Sequence, residues 1–140
     1  MTIREVRDTD AESLVPLFAE LGYPTNPVDV ARRLERLTAD ESYRAWVSVE
    51  EGHILGLAAA HVVHPIEDDH PAAQLIALVT LSTVGGRGIG GSLVRHFEDW
   101  ARAVGAARLV ISSGVDRLEA HAFYERRGYT ASGLRFSKRL

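Results

Sequence analysis

Positions 85 to 91 read GGRGIGG, five glycines in seven residues. The apolar run LIALVTL (75–81) leads into them, and a helical pattern follows from Ile89. The start of a helix presents unpaired backbone N–H groups and a partial positive charge. Glycines ahead of it let an anion approach without meeting Cβ atoms. The chemistry on offer is therefore the binding of a phosphate or diphosphate. A strand-to-helix turn without a ligand needs one or two glycines, and each further one carries an entropic cost. A second stretch, HVVHPIEDDH (61–70), gathers groups able to take a proton: His61, His64, Glu67, Asp68 and Asp69. As metal ligands the two histidines fit poorly. Three apart on one predicted strand, they point to opposite faces, so no metal site is assigned. His96 and His121 fall on predicted helices among charged neighbours, where solvent exposure is expected.

Periodicity supplies the elements that must position these groups. TIREV predicts a short strand, and Thr9 with Glu12 a capping box opening a helix. Leu14, Leu17, Phe18 and Leu21 share one face of that helix, and Gly22 stops it. Asn26-Pro27 predicts a second start, with Val30, Leu34 and Leu37 as the buried stripe. RAWVSVEEGHILGLAAAHVV predicts a hairpin turning at Glu51-Gly52. HPIEDDHPA is a polar loop. QLIALVTLS lacks alternation, as a central strand does. Ile89, Leu93, Phe97, Trp100 and Val104 mark a long amphipathic helix, and ARLVISS another buried strand. Asp116 with Glu119 predicts a capping box for a helix over LEAHAFYERR, which Gly128 ends. YTASGLRFSKRL supplies one or two last strands. The expected order is β-α-α-β-β-β-α-β-α-β, an α/β fold with a mixed, mostly antiparallel central sheet and helices on both faces.

The chain has 140 residues, 46% of them apolar, a formal net charge of −3 and no cysteine. It is long enough for one domain, 1–140, with a real core. The charge gives no pull toward nucleic acid or an acidic membrane surface. No apolar run approaches the roughly 18 residues of a membrane span. MTIREVRDTDAE is charged and lacks a signal-peptide core. The absence of cysteine excludes disulfides, thiolate metal sites and a cysteine nucleophile. A cytoplasmic protein is expected, with neither nucleic acid nor a membrane as partner.

Three phosphate-binding loops write nearly this glycine string. Gly86, Gly88 and Gly91 satisfy the dinucleotide fingerprint GxGxxG, but the next strand ends ISSG, with no carboxylate for a ribose. Gly85 to Ser92 approaches a P-loop, but Gly91 stands where lysine must be. The third is a coenzyme A diphosphate loop. There the order strand, GGRGIGGSL (85–93), strand, AHAFYERRGY (120–129) resembles the GNAT superfamily of N-acetyltransferases, in particular its small bacterial members. The family pattern is [Q/R]-x-x-G-x-[G/A] opening a helix, then a buried strand, then a helix carrying F-Y-x-x-x-G-[F/Y].

The resemblance implies an acetyl-CoA-dependent N-acetyltransferase that moves acetyl to a primary amine of a small molecule by direct attack in a ternary complex. The strand before the loop splays from its neighbour at a bulge, and the backbone at Leu78, Val79 and Thr80 pairs with the pantetheine arm. Amides from Gly86 through Arg87, Gly88, Ile89 and Gly90 to Gly91 hold the diphosphate, with Ser92 in the same set and Arg87 as a mobile cation. Tyr124 matches the tyrosine that protonates the departing thiolate; its alternative is a core aromatic beside Phe123. Gly85 stands where Gln or Arg is usual. Arg117 stands at a frequent asparagine and receives no role, while Ser113 is able to supply a hydrogen bond instead. Gln74 and Ile76 occupy positions where close relatives carry Glu, so the base comes from elsewhere. The acidic residues Glu67 to Asp69 hint at a cationic acceptor such as an aminoglycoside, polyamine or amino acid derivative. Dimerisation is common in the family, making a homodimer an open expectation. The competing reading is a coenzyme-A-binding regulatory domain without catalysis.

Overall fold

In the computed structural model, which describes residues 1–112 and 118–140, Gly22 ends the first helix, α1 (Ala11–Leu21), at φ +98°. Its N–H donates to Ala19 O and that of Tyr23 to Phe18 O, the paired bonds of a left-handed helix stop. The second helix, α2 (Pro27–Thr38), starts as expected: the Asn26 side chain accepts from Asp29 N at 3.0 Å and proline takes the first turn. The hairpin strands are β2 (Tyr43–Glu50) and β3 (His53–Val63). Their turn holds Glu51 at φ +50° and Gly52 at φ +79°, the doubly left-handed geometry that matches strand twist.

The chain packs as two units, Met1–Val110 and Ile111–Leu140. Within the first, β1 (Thr2–Glu5), β2, β3 and β4 (Ala72–Thr80) pair antiparallel in sequence order; β5 (Arg108–Ile111), whose last residue begins the second unit, follows β4 in the sheet. One sheet face buries Ala45, Val47, Leu57, Ala59 and Val79 against Leu14 and Leu17 of α1 and Val30 and Leu34 of α2. The other carries α3 (Ile89–Ala103), whose Leu93, Val94 and Phe97 are fully buried. On that face Trp46 meets the rings of His96 and Trp100 edge-on at 5.2 and 5.4 Å. A Cβ on Gly56 would lie 3.0 Å from Leu93 Cδ1 and 3.1 Å from Ile89 Cγ2, so this glycine sets how closely the start of α3 approaches the sheet. Helices on both faces of a mostly antiparallel sheet match the expected class.

Several expectations are corrected. The first helix is not opened by Thr9 and Glu12. A 3₁₀ turn, Asp8–Asp10, precedes it, and the Asp10 carboxylate accepts from Arg7 N at 2.7 Å and from both terminal nitrogens of Arg4 at 2.8 and 2.9 Å. β5 is a short, half-exposed strand at the end of the sheet order rather than a buried one. Residues 129–140 carry no strand: Leu134 and Phe136 alternate as a strand would, yet are 78% and 87% exposed, so among the described residues nothing covers the face that would reward pairing. His64 lies beyond the end of β3, so the argument from opposite strand faces does not apply to it. His96 and His121 are half-buried rather than exposed. Asp116, Ser113 and Arg117 lie outside the described residues.

Asp10 is 6% exposed, and its bond to Arg4, ahead of the Arg7 amide and against burial, holds its carboxyl below the usual carboxylate range. Asp10→Asn is expected to cost about 2 kcal/mol, because it leaves the Arg4 fork facing a neutral partner. The folded carboxyl keeps its charge to lower pH than the unfolded one, near 3.9. Its contribution is therefore complete above about pH 4 and fades as the pH falls through the folded value. Urea unfolding from pH 7 to pH 3 checks this: wild type and Asp10→Asn converge toward acid.

Candidate functional site

The strand feeding the glycines is not regular. Ala59 pairs with Ala77 and Ala60 with Leu75, so Ile76 is an extra residue on β4, 42% exposed. This bulge lies two residues before Leu78. Beyond it Leu78, Val79 and Thr80 face Ala58, Leu57 and Gly56 of β3, and Leu81 N donates to Leu55 O at 3.0 Å. A 3₁₀ turn, Ser82–Val84, then redirects the chain.

Two of the five glycines are demanded by the backbone. Gly86 has φ +80° and Gly88 φ +77°, values that side-chain-bearing residues rarely adopt. A Cβ at either would meet nothing within 4 Å, so the space beside the loop is open. Gly85, at φ −59°, is in ordinary conformation. Gly88 is the N-cap of α3, and among the described residues no side chain caps that end. The first intrahelical bond runs from Ser92 N to Gly88 O at 3.0 Å. The amides of Ile89, Gly90 and Gly91 therefore precede the helix's own ladder, the arrangement that receives an anion. The Ser92 hydroxyl accepts from Arg95 at 3.2 Å, and Arg87 pairs with Glu50 at the end of β2.

A further link was not legible in the sequence. Glu20, in the last turn of α1, accepts from Ser82 N at 3.1 Å across 62 residues. Bonds from the Ser82 hydroxyl and amide hold its carboxyl below the usual range. It ties α1 to the turn that launches the glycines.

In the second unit, α4 (Leu118–Glu125) carries Tyr124. Its ring meets Phe123 edge-on at 5.2 Å and Tyr129 at 6.0 Å. The helix ends as expected, with Gly128 at φ +90° and Tyr129 N donating to Tyr124 O at 3.1 Å. Arg127 lies over the Phe123 ring, 3.7 Å from its centroid.

Of the candidate proton acceptors, His61 stacks on Tyr43, with centroids 4.2 Å apart, and is half-buried. His64, Glu67, Asp68 and Asp69 sit on the exposed 64–71 loop. Asp68 accepts from His70 N at 2.9 Å; that bond and one to the His70 ring hold its carboxyl below the usual range, so this acid shapes its own turn. Among the described residues no group of three His, Cys, Asp or Glu is placed to hold a metal, and no helix is long and apolar enough to cross a membrane.

A family model described as the acetyltransferase (GNAT) family matches residues 7–129. The chain is 28% identical over 141 residues to the aminoalkylphosphonate N-acetyltransferase of Salmonella typhimurium, covering 99% of this chain and 90% of that protein. It is 32% identical over 126 residues to the uncharacterized N-acetyltransferase YhdJ of Bacillus subtilis, covering 88% and 87%. Among solved structures, a GNAT family acetyltransferase from Staphylococcus aureus aligns with a TM-score of 0.86 at 25% identity, over 99% of this chain and 98% of that one.

Proposed function

The chain belongs to the acetyltransferase (GNAT) family, and from that premise we propose that it transfers acetyl from acetyl-CoA to the primary amine of a small molecule in the cytoplasm. The observation that carries this is the start of α3, which no described side chain caps, behind two left-handed glycines at the end of a bulged strand. We take 1–140 as one acetyltransferase domain, a view supported by a family match that runs through both units.

Acetyl-CoA brings the activated acyl group as a thioester. The amides from Gly86 to Gly91 bind its diphosphate, and the backbone of Leu78 to Thr80 orients the pantetheine arm and polarises the carbonyl. Rate comes mainly from holding amine and thioester together. The amine must first lose its proton, and His61 is the base we retain, since it is held by a ring partner rather than by solvent alone. The free amine attacks the thioester carbonyl carbon. As the tetrahedral intermediate collapses, the C–S bond breaks and the Tyr124 hydroxyl donates a proton to the sulfur. The new amide nitrogen gives its surplus proton to water, and the phenolate regains one from water. The test is thiol release from acetyl-CoA with a panel of amines. Aminoalkylphosphonates enter it because of the Salmonella relative; polyamines and aminoglycosides enter because of Glu67 to Asp69. Thiol release with one class supports the reading.

A second reading, a coenzyme-A-binding regulator, is favoured by Gln74 and Ile76 on β4, neither of which titrates. It predicts coenzyme binding with no thiol release for any amine.

Gly85 offers a direct check on the loop. Its φ is ordinary and a Cβ would rest 3.6 Å from Ser82 O, so a side chain fits. Gly85→Gln restores the usual family residue and is expected to tighten coenzyme A binding about threefold to fivefold by adding one exposed hydrogen bond. Isothermal titration measures it.

A further inference from the structure

Arg87 stands between Gly86 and Gly88, so the loop that presents the amides also fixes where this side chain begins. Its guanidinium reaches 37 residues back in the chain to the carboxylate of Glu50, the last residue of β2, beside the Glu51-Gly52 turn. Both side chains are open to solvent, Arg87 48% and Glu50 34% exposed. Exposed pairs of this kind contribute little and exchange readily. Arg95, another cation near the start of α3, gives a donor to Ser92.

We propose that Glu50 is an internal competitor for Arg87: it holds the guanidinium in the ligand-free chain and must yield it when an anionic ligand enters the loop. This rests on the coenzyme reading of the site given above. A diphosphate offers a guanidinium several charged oxygens in a forked geometry, against the two of one carboxylate, so exchange runs toward the ligand. Glu50 weakens binding in two ways. It occupies the cation before the ligand arrives, and afterwards its own charge stands near the phosphates. The first depends on Arg87 and the second does not, which makes them separable. Coenzyme affinity is thereby set below what the loop alone supports.

The test is titration of coenzyme A into wild type, Glu50→Gln, Arg87→Gln and the double variant, at low and high salt, with thermal melts to confirm folding. Glu50→Gln is expected to bind about threefold to tenfold more tightly than wild type at low salt, and the gain shrinks at high salt. In the Arg87→Gln background the same substitution gains less than half as much on a logarithmic scale. An equal gain in both backgrounds overturns the exchange, leaving only long-range repulsion. An unchanged or weaker Glu50→Gln overturns it too, since Glu50 then orders Arg87 for the ligand or ignores it. If no chain binds coenzyme A, both this inference and the coenzyme reading fall; the other outcomes leave that reading standing.

Discussion

Tyr124→Phe is expected to lower kcat by about 10²- to 10³-fold while the KM for acetyl-CoA stays within about twofold. The substitution removes one oxygen and keeps the ring that meets Phe123 and Tyr129. A thiolate is a poor leaving group beside a reversible amine attack, and a positioned phenol shifts the partition toward product. A free phenol, with a reference pKa near 10, is a useful donor only when held in place. Steady-state kinetics with the best amine of the panel measures the effect. A kcat within twofold of wild type would return Tyr124 to the status of a packing aromatic.

Gly88→Val is expected to act on the other parameter. The residue sits at φ +77° as the N-cap of α3, and a β-branched side chain there is strained by about 1–2 kcal/mol or more. Relief requires the first turn of α3 to reorient, which turns its amides from their common direction. The added methyls also enter the open space beside the loop. The Kd for coenzyme A and the KM for acetyl-CoA are expected to rise tenfold to a hundredfold, with a smaller loss in kcat at saturation. Gly105, just past the other end of the same helix, is the control. It has φ +83° and its N–H donates to Arg102 O at 3.1 Å. Gly105→Ala shares the backbone strain but not the position, so it lowers the melting temperature and leaves coenzyme affinity intact.

What could be read from the chain alone was what local chemistry writes. Gly22, Asn26-Pro27 and Glu51-Gly52 punctuate the backbone where the sequence says, because each acts within a few residues of itself. The glycine loop was legible for the same reason, although the structure divides its five glycines between two that the backbone demands and three that it does not hold at positive φ. Pairs joined by the fold were not legible. Nothing near Asp10 announces Arg4 as its partner, nothing near Ser82 announces Glu20, and nothing near Arg87 announces Glu50. The bulge at Ile76 depends on register with β3, which no periodicity in β4 reveals. His96 looked exposed because its sequence neighbours are charged, yet α3 turns it toward Trp46 on the sheet. The closing strand failed differently. GLRFSKRL alternates as a strand should, but alternation promises only a face to bury and does not supply the edge to pair with.

The most direct test of the central claim is a crystal structure of the chain with coenzyme A bound. Diphosphate oxygens are expected at hydrogen-bond distance, about 3 Å, from amides between Gly86 and Gly91. The pantetheine arm is expected alongside Leu78 to Thr80, with the sulfur within reach of the Tyr124 hydroxyl. A coenzyme that seats its phosphates elsewhere, or whose sulfur points away from Tyr124, would contradict that claim.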